Sequence, residues 1–266
     1  MADDPTRSAP DLVGLDDAAL AAALVGQAAA RAARMRAEGV SARTKENLAD
    51  LVTEADVAAE RLVVDALTRL RPEDGVVGEE GTTRPSRSGR TWVIDPVDGT
   101  YNFATGTLYW CSALALRDAD GVLVGAVEHP GAGESWLAVR GAGTFERGVA
   151  VPPLEDAPLS AVCLATYLHP ARIADPSIRE PWLAATRGAA TMRMLGSGSC
   201  ELAAVAAGRI GAWAQPDVLE WDWLPGKALV EGAGGSTDVV DVAGHPWHLA
   251  GTPSAVADLR RALEAG

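Results

Sequence analysis

Residues 91–100 read Thr-Trp-Val-Ile-Asp-Pro-Val-Asp-Gly-Thr, a short run of strand-forming residues that passes directly into two carboxylates three positions apart. A strand end is a rigid mount, Pro96 restrains the turn that follows, and Gly99 lets the backbone come close to a bound anion. Two carboxylates held this way form the all-oxygen environment that a hard divalent cation such as Mg2+ prefers. Another reading stays open for the tetrapeptide: Asp95 caps a helix that begins at Pro96, and Asp98 merely favours its first turn.

Three further acidic segments bear on that choice. Gly78-Glu79-Glu80-Gly81 follows the apolar pair Val76-Val77 and, by itself, reads as a solvated turn. Asp50 to Asp56 reads as a helix start in which Thr53 and Asp56 resemble a capping box. Glu220-Trp221-Asp222-Trp223-Leu224-Pro225-Gly226 sets Asp222 between two tryptophans just before an expected helix, where N-capping is the routine role.

Charge narrows the partners. With 23 basic against 36 acidic residues the net charge is -13, which disfavours a sequence-independent grip on nucleic acid. A small phosphate meets the same repulsion unless bound cations or clustered backbone N–H groups reverse the field locally. Cys111, Cys163 and Cys200 are far apart and odd in number, without zinc or disulfide spacing, so a reducing compartment is expected. The start lacks signal-peptide character, and the Ala-rich stretch from Ala18 to Ala30 is too short to span a bilayer before Arg31, Arg34 and Arg36. The expectation is a soluble, cytoplasmic protein with no membrane partner.

Periodicity predicts a helix from about Asp16 to Glu38, stopped at Gly39, and a second after Thr53 with Val57, Leu62, Val63, Leu67 and Leu70 on one side, so that two helices precede any strand. Strands follow at Thr91–Ile94, Ser112–Arg117, Val122–Val127 and Ser135–Val139, forming a mainly antiparallel sheet. Beyond Val151-Pro152-Pro153 the pattern alternates: a strand near Ala161–Ala165, helices near Ser177–Arg187 and Cys200–Ala207, a strand at Gly211–Ala214, a helix from Pro225 and a last helix after Pro253. These elements suit an α/β (α+β) chain layered as an αβαβα sandwich. The expected division is a disordered start at 1–10, an N-terminal α+β part at 11–150 and a C-terminal α/β part at 151–266.

Taken together, Gly-Glu-Glu at 78–80, Asp-Pro-Val-Asp-Gly-Thr at 95–100, Trp-Asp at 221–222 and Glu231-Gly-Ala-Gly-Gly stand in an order and separation that resembles the inositol monophosphatase family, over about residues 40–240. The resemblance implies the sugar-phosphatase type of αβαβα sandwich and an Mg2+-dependent hydrolase of small phosphate monoesters. It implies that Glu79, Asp95 and the Val97 carbonyl hold one Mg2+, that Asp95, Asp98 and Asp222 hold a second, and that a third, weaker ion in some members leans on Glu79 and water. It also implies that Thr100, hydrogen-bonded to Asp56, positions the attacking water while the N–H groups of Gly99 and Thr100 receive phosphate oxygens. Lys45 matches a basic position near the site. Lithium inhibition and a homodimer follow from the same resemblance. Two metals acidify water, fix in-line geometry and neutralise the leaving oxygen, so no protein nucleophile is required.

The Pro-Val pair between the acids breaks the Asp-x-Asp spacing of haloacid-dehalogenase-like phosphatases, whereas a regulatory binding protein keeping the fold remains a reading of another class. For the substrate, a phosphorylated polyol or amino alcohol is implied, with inositol monophosphate first. Histidinol phosphate, phosphoadenosine phosphate and fructose bisphosphate are the alternatives within the family. Gly196, Ser197 and Gly198 resemble its polyol-admitting segment, although Ser197 or Ser199 equally reads as a helix cap. Gln215 stands where inositol-specific relatives often have Glu; it either meets the alcohol with a neutral amide or is a surface-loop residue.

Overall fold

Helix α1 (Asp17–Glu38) begins where the Asp16 carboxylate accepts the Ala19 N–H and stops at Gly39, whose φ of +92° breaks the helical path. Helix α2 (Glu54–Leu70) begins with the expected Thr53/Asp56 capping box. The computed structural model describes residues 12–39, 42–44 and 51–265; the expected disordered start, and Lys45, lie outside the described residues. Strands β1 (Ala42–Thr44) and β2 (Leu51–Thr53) pair antiparallel between the two helices, which corrects the expectation that no strand comes so early. Three residues are too few to display a period of two.

The larger sheet joins β3 (Gly75–Gly78), β4 (Thr83–Arg84), β5 (Thr91–Asp98), β6 (Cys111–Asp118), β7 (Gly121–His129), β8 (Glu134–Val139), β9 (Gly143–Glu146) and β10 (Val149–Ala150) in the order β10-β9-β8-β7-β6-β5-β3-β4. It is antiparallel except where β3 runs beside β5. Helix α3 (Thr100–Ala104) leaves the end of β5. The smaller sheet joins β11 (Cys163–Thr166), β12 (Thr191–Arg193), β13 (Ala212–Pro216), β14 (Ser236–Val242) and β15 (His245–Gly251) in the order β12-β11-β13-β15-β14. The β14–β15 hairpin escaped the sequence reading because its faces mix polar and apolar residues.

Helices α4 (Pro176–Arg187), α5 (Gly198–Ala206), α6 (Glu220–Gly232) and α7 (Pro253–Ala265) complete the chain. Helix α6 starts five residues before the expected Pro225, which therefore lies inside it, and Leu219 rather than Asp222 is its N-cap. Pro225, the sixth residue of α6, lies beyond the N–H groups that start without partners, so it costs the helix one intrahelical hydrogen bond.

Layering follows from alternation along the strands. Trp92 and Ile94 of β5 and Leu114 and Leu116 of β6 pack under α1 and α2, with Leu20, Leu24, Val63 and Leu67. Cys111 and Ala113 face the other way, onto α5 and α6, where Leu202, Trp223 and Leu229 lie between the two sheets. Trp213 of β13 faces this middle layer, whereas its neighbours Ala212 and Ala214 pack with Ile178 of α4 and Leu259 of α7 outside. The result is the αβαβα sandwich, with α5 and α6 in its middle layer. Gly125 allows α6 to approach β7, since a Cβ there would sit 2.5 Å from the Pro225 carbonyl oxygen.

A polar knot locks α1 to the start of β5. Buried Asp74 accepts from Trp92 Nε1 at 2.9 Å, Ser88 Oγ at 2.6 Å and Arg90 Nη2 at 2.9 Å, and Arg90 also pairs with Asp17 of α1 at 2.6 Å. Asp74→Ala should destabilise the protein by about 3 kcal/mol, because it orphans a buried indole N–H and removes one of the two carboxylates that Arg90 pairs with. Urea denaturation of both proteins measures this, and a loss below about 1 kcal/mol would assign the knot no role.

Candidate active site

In a regular strand, residues three apart point to opposite faces, so Asp95 and Asp98 would diverge. Here Asp95 pairs with Ala113 of β6 and Asp98 with Cys111, three steps of one strand against two of the other. That one-residue bulge turns Asp98 back to the face of Asp95, the face on which Ala113 and Cys111 meet the middle layer. Strand β5 therefore continues through Pro96, and the alternative of a helix starting there is not what forms. Proline fits because a bulge leaves its missing N–H without a ladder partner to lose, while Ser112 Oγ donates to the Pro96 carbonyl at 2.6 Å.

Asp222, in the first turn of α6, completes the group: one carboxylate oxygen from each of Asp95, Asp98 and Asp222 lies within 4.8 Å of the others. Asp95 and Asp98 are fully buried and Asp222 is half-buried. Burial raises the pKa of Asp95 well above the usual carboxylate range, and the negative charges of Glu79, Asp98 and Asp222 raise it further. Asp98 is raised by burial too, against the pull of backbone N–H groups of Gly198, at 3.1 Å, and Ser199 at the start of α5. Among the described residues, none of the largest influences on either residue is a cation. This donor set, all oxygen, fits a hard divalent ion.

Glu79 stands beside Asp95 and lines the same cavity, outside the group of three. Its turn is held by a residue that the sequence reading passed over. Buried Glu60 of α2 accepts from Glu80 N at 2.8 Å, Thr82 N at 3.2 Å and Thr82 Oγ1 at 2.6 Å. Asp56 and Glu60 lie one turn apart on the buried face of α2, whereas Val57, expected to be core, faces solvent. Two acids at i and i+4 among buried alanines were the available signal.

Thr100 Oγ1 lies 3.1 Å from Asp56 Oδ1 and 3.0 Å from the Val97 carbonyl. Asp56, buried, has its pKa pushed up to about 6 by desolvation, against hydrogen bonds from Thr53 and Thr100. Gly99 takes φ +92° at the start of α3, and a Cβ there would approach the Gly196 carbonyl oxygen to 3.0 Å, so only glycine fits the turn. Gly99 and Thr100 carry two of the first N–H groups of the α3 turn, which have no intrahelical acceptor.

A cavity of about 780 Å³ opens above the carboxylates. Glu79, Asp98, Gly99, Thr100 and Asp222 line its floor, and Gly196, Ser197, Gly198 and Gln215 also line it. Asp56, Asp95 and Val97 are buried and do not line it. Ser197 is the N-cap of α5, its hydroxyl accepting from Cys200 N at 3.4 Å, so its side chain serves the helix. Asn102, unremarked in the sequence, ties the two loops by donating to the carbonyls of Tyr109 at 2.9 Å and Leu195 at 2.8 Å.

Glu201 was also missed. It lies on α5, 1% exposed, and burial lifts its pKa to about 8, against N–H donors from Leu195 and Trp213. Its signal was a charge inside the apolar run Cys200-Glu201-Leu202-Ala203. Gln215, at the end of β13, donates to it at 3.3 Å, so this glutamine belongs to the cavity wall and not to a surface loop.

Comparison with known proteins agrees with this geometry. The inositol monophosphatase family pattern matches residues 12–265. A histidinol-phosphatase of Mycobacterium tuberculosis is 36% identical over 241 residues, covering 86% of this chain and 90% of that protein. An inositol-1-monophosphatase of Bacillus subtilis is 30% identical over 242 residues, covering 86% and 89%. The crystal structure of extragenic suppressor protein suhB from Bartonella henselae superposes with a TM-score of 0.80 at 25% identity, over 91% of this chain and 98% of that one. The chain belongs to the inositol monophosphatase family of phosphatases.

Proposed function

We propose that the chain is an Mg2+-dependent phosphatase of small phosphorylated polyols or amino alcohols, acting through water and not through a protein nucleophile. The convergence of Asp95, Asp98 and Asp222, with one carboxylate oxygen of each within 4.8 Å of the others, carries this reading. Asp95, Asp98 and Asp222 would hold one ion, and Glu79, Asp95 and the Val97 carbonyl another, with Glu79 the support of any third. When bound, the ions lower the pKa of water and neutralise charge on the phosphate and leaving oxygens.

The remaining roles belong to the chain itself. With its hydrogen directed to Asp56, the Thr100 hydroxyl keeps lone pairs free to accept from a water above it, orienting that water toward the phosphorus. The Gly99 and Thr100 N–H groups receive phosphate oxygens. Gly196, Gly198 and Gln215 border the space left for the alcohol. Inositol monophosphate is the first substrate in this reading. Histidinol phosphate is the second, favoured by the similarity to a histidinol-phosphatase of Streptomyces coelicolor that is 33% identical over 261 residues. The reading includes a cytoplasmic homodimer; the edge strand β12, with exposed Met192 on it and Met194 next to its end, is the surface offered for the partner copy. Among the described residues no helix is long and apolar enough to cross a membrane.

Asp95→Asn should lower kcat/KM at least about 10³-fold, because the bridging position loses its charge. The same change should stabilise the metal-free protein by roughly 1–3 kcal/mol, since like-charge repulsion falls. In the wild type, Mg2+ at a hundred times its Kd should add about 2.7 kcal/mol of stability, and little of this should survive in Asp95→Asn. Thermal melts with and without Mg2+ check this independently of turnover; an Asp95→Asn protein with normal turnover would remove Asp95 from the metal site.

Thr100→Ala should cut kcat roughly 10²-fold while KM changes little, because the backbone N–H that meets phosphate survives. Steady-state kinetics decide it. A raised KM with unchanged kcat would make Thr100 a binding residue only.

A further inference from the structure

Gln215 has one amide and two ways of facing the cavity: carbonyl oxygen forward as an acceptor, or NH2 forward as a donor. Glu201 chooses between them. Its Oε1 accepts from Leu195 N at 2.8 Å and Gly196 N at 3.3 Å, and its Oε2 from Trp213 Nε1 at 3.0 Å. These three groups can only donate, so the carboxylate is surrounded by donors, and the NH2 of Gln215 at 3.3 Å is the fourth. While Glu201 is ionised, turning the amide over would set its oxygen against the carboxylate oxygen, two acceptors in a part-buried place. The Gln215 Oε1 is thereby left without a protein partner among the described residues, on a side chain that lines the cavity.

We propose that Glu201 is a specificity-determining positioning residue: it fixes the Gln215 amide so that an acceptor oxygen faces the alcohol part of the substrate. The site then prefers alcohols bearing hydroxyl or ammonium donors over alcohols with none, and it does so without placing a charge beside the substrate. This rests on the phosphatase reading above. Among the described residues the Glu201 carboxylate makes its hydrogen bonds with Leu195, Gly196, Trp213 and Gln215 and with none of the proposed metal ligands, and its path to the substrate runs through Gln215.

The test compares kcat/KM for inositol 1-phosphate with kcat/KM for phenyl phosphate, whose alcohol has no donor. Assays run above the pKa of about 8 that burial gives Glu201, so that its carboxylate is ionised. Gln215→Leu should lower the ratio of the two roughly three- to ten-fold, the worth of one neutral hydrogen bond, and through KM. Glu201→Gln should lower the ratio in the same direction, because an amide at 201 no longer dictates which way Gln215 turns. Glu201→Asp keeps the charge but falls one methylene short of the amide; it should shift the ratio likewise and serves if Glu201→Gln does not fold. An equal loss on both substrates in the position-201 variants would leave Glu201 a support of the Leu195–Gly196 loop and overturn the proposal, as would an unchanged ratio in Gln215→Leu. A wild-type protein that hydrolyses neither substrate with Mg2+ overturns the phosphatase reading, and this proposal with it.

Discussion

Carboxylates from three places in the chain share a space in which their oxygens lie within 4.8 Å of one another. At an effective dielectric constant of about 20, each such pair of ionised groups repels by roughly 3 kcal/mol or more. The fold must hold Asp95, Asp98 and Asp222 together against that force, and the backbone of two elements sets their positions. The bulge in β5 fixes two of them, and the first turn of α6, pressed onto β7 at Gly125, fixes the third. A stored repulsion of this kind is released by cations or protons, which makes the cluster a place where stability has been given up for chemistry.

The supports reach outward from that cluster through acids that never meet the substrate. Glu60 shapes the turn bearing Glu79, Asp56 anchors Thr100, and Asp74 pins the start of β5 to α1 through Arg90. Each is a buried carboxylate satisfied mainly by N–H and O–H donors, the arrangement in which a buried acid tolerates its environment. Part of the acidity of this chain is therefore architectural.

Helix α5 links the two halves of the cavity. Its first N–H groups hold Asp98 on the carboxylate side, and one turn later Glu201 holds Leu195, Gly196 and Gln215 on the alcohol side. A rigid helix between two sheets keeps these distances fixed, so in the proposed reading one element would place both the phosphate and the alcohol. The rim beyond is closed by Asp217, whose φ of +55° is unusual for a residue with a side chain and whose carboxylate pairs with Arg172 and His245.

The sequence by itself determined whatever is encoded over a few residues. It settled α1 and its stop at Gly39, the Thr53/Asp56 capping box, the strand running into Asp95 and the αβαβα order, because periodicity and capping are short-range. The family motif then named the acids that meet. What only the tertiary structure decided is non-local: a one-residue slip against β6 turns Asp98 toward Asp95, α6 carries Asp222 to them as part of a helix instead of as its cap, and Glu201 reaches across to Gln215. Register and layer packing are properties of paired elements, and no single segment contains them. Glu60 and Glu201 stayed hidden for the same reason, since a charge within a helix reveals its purpose only when the donors around it are in place.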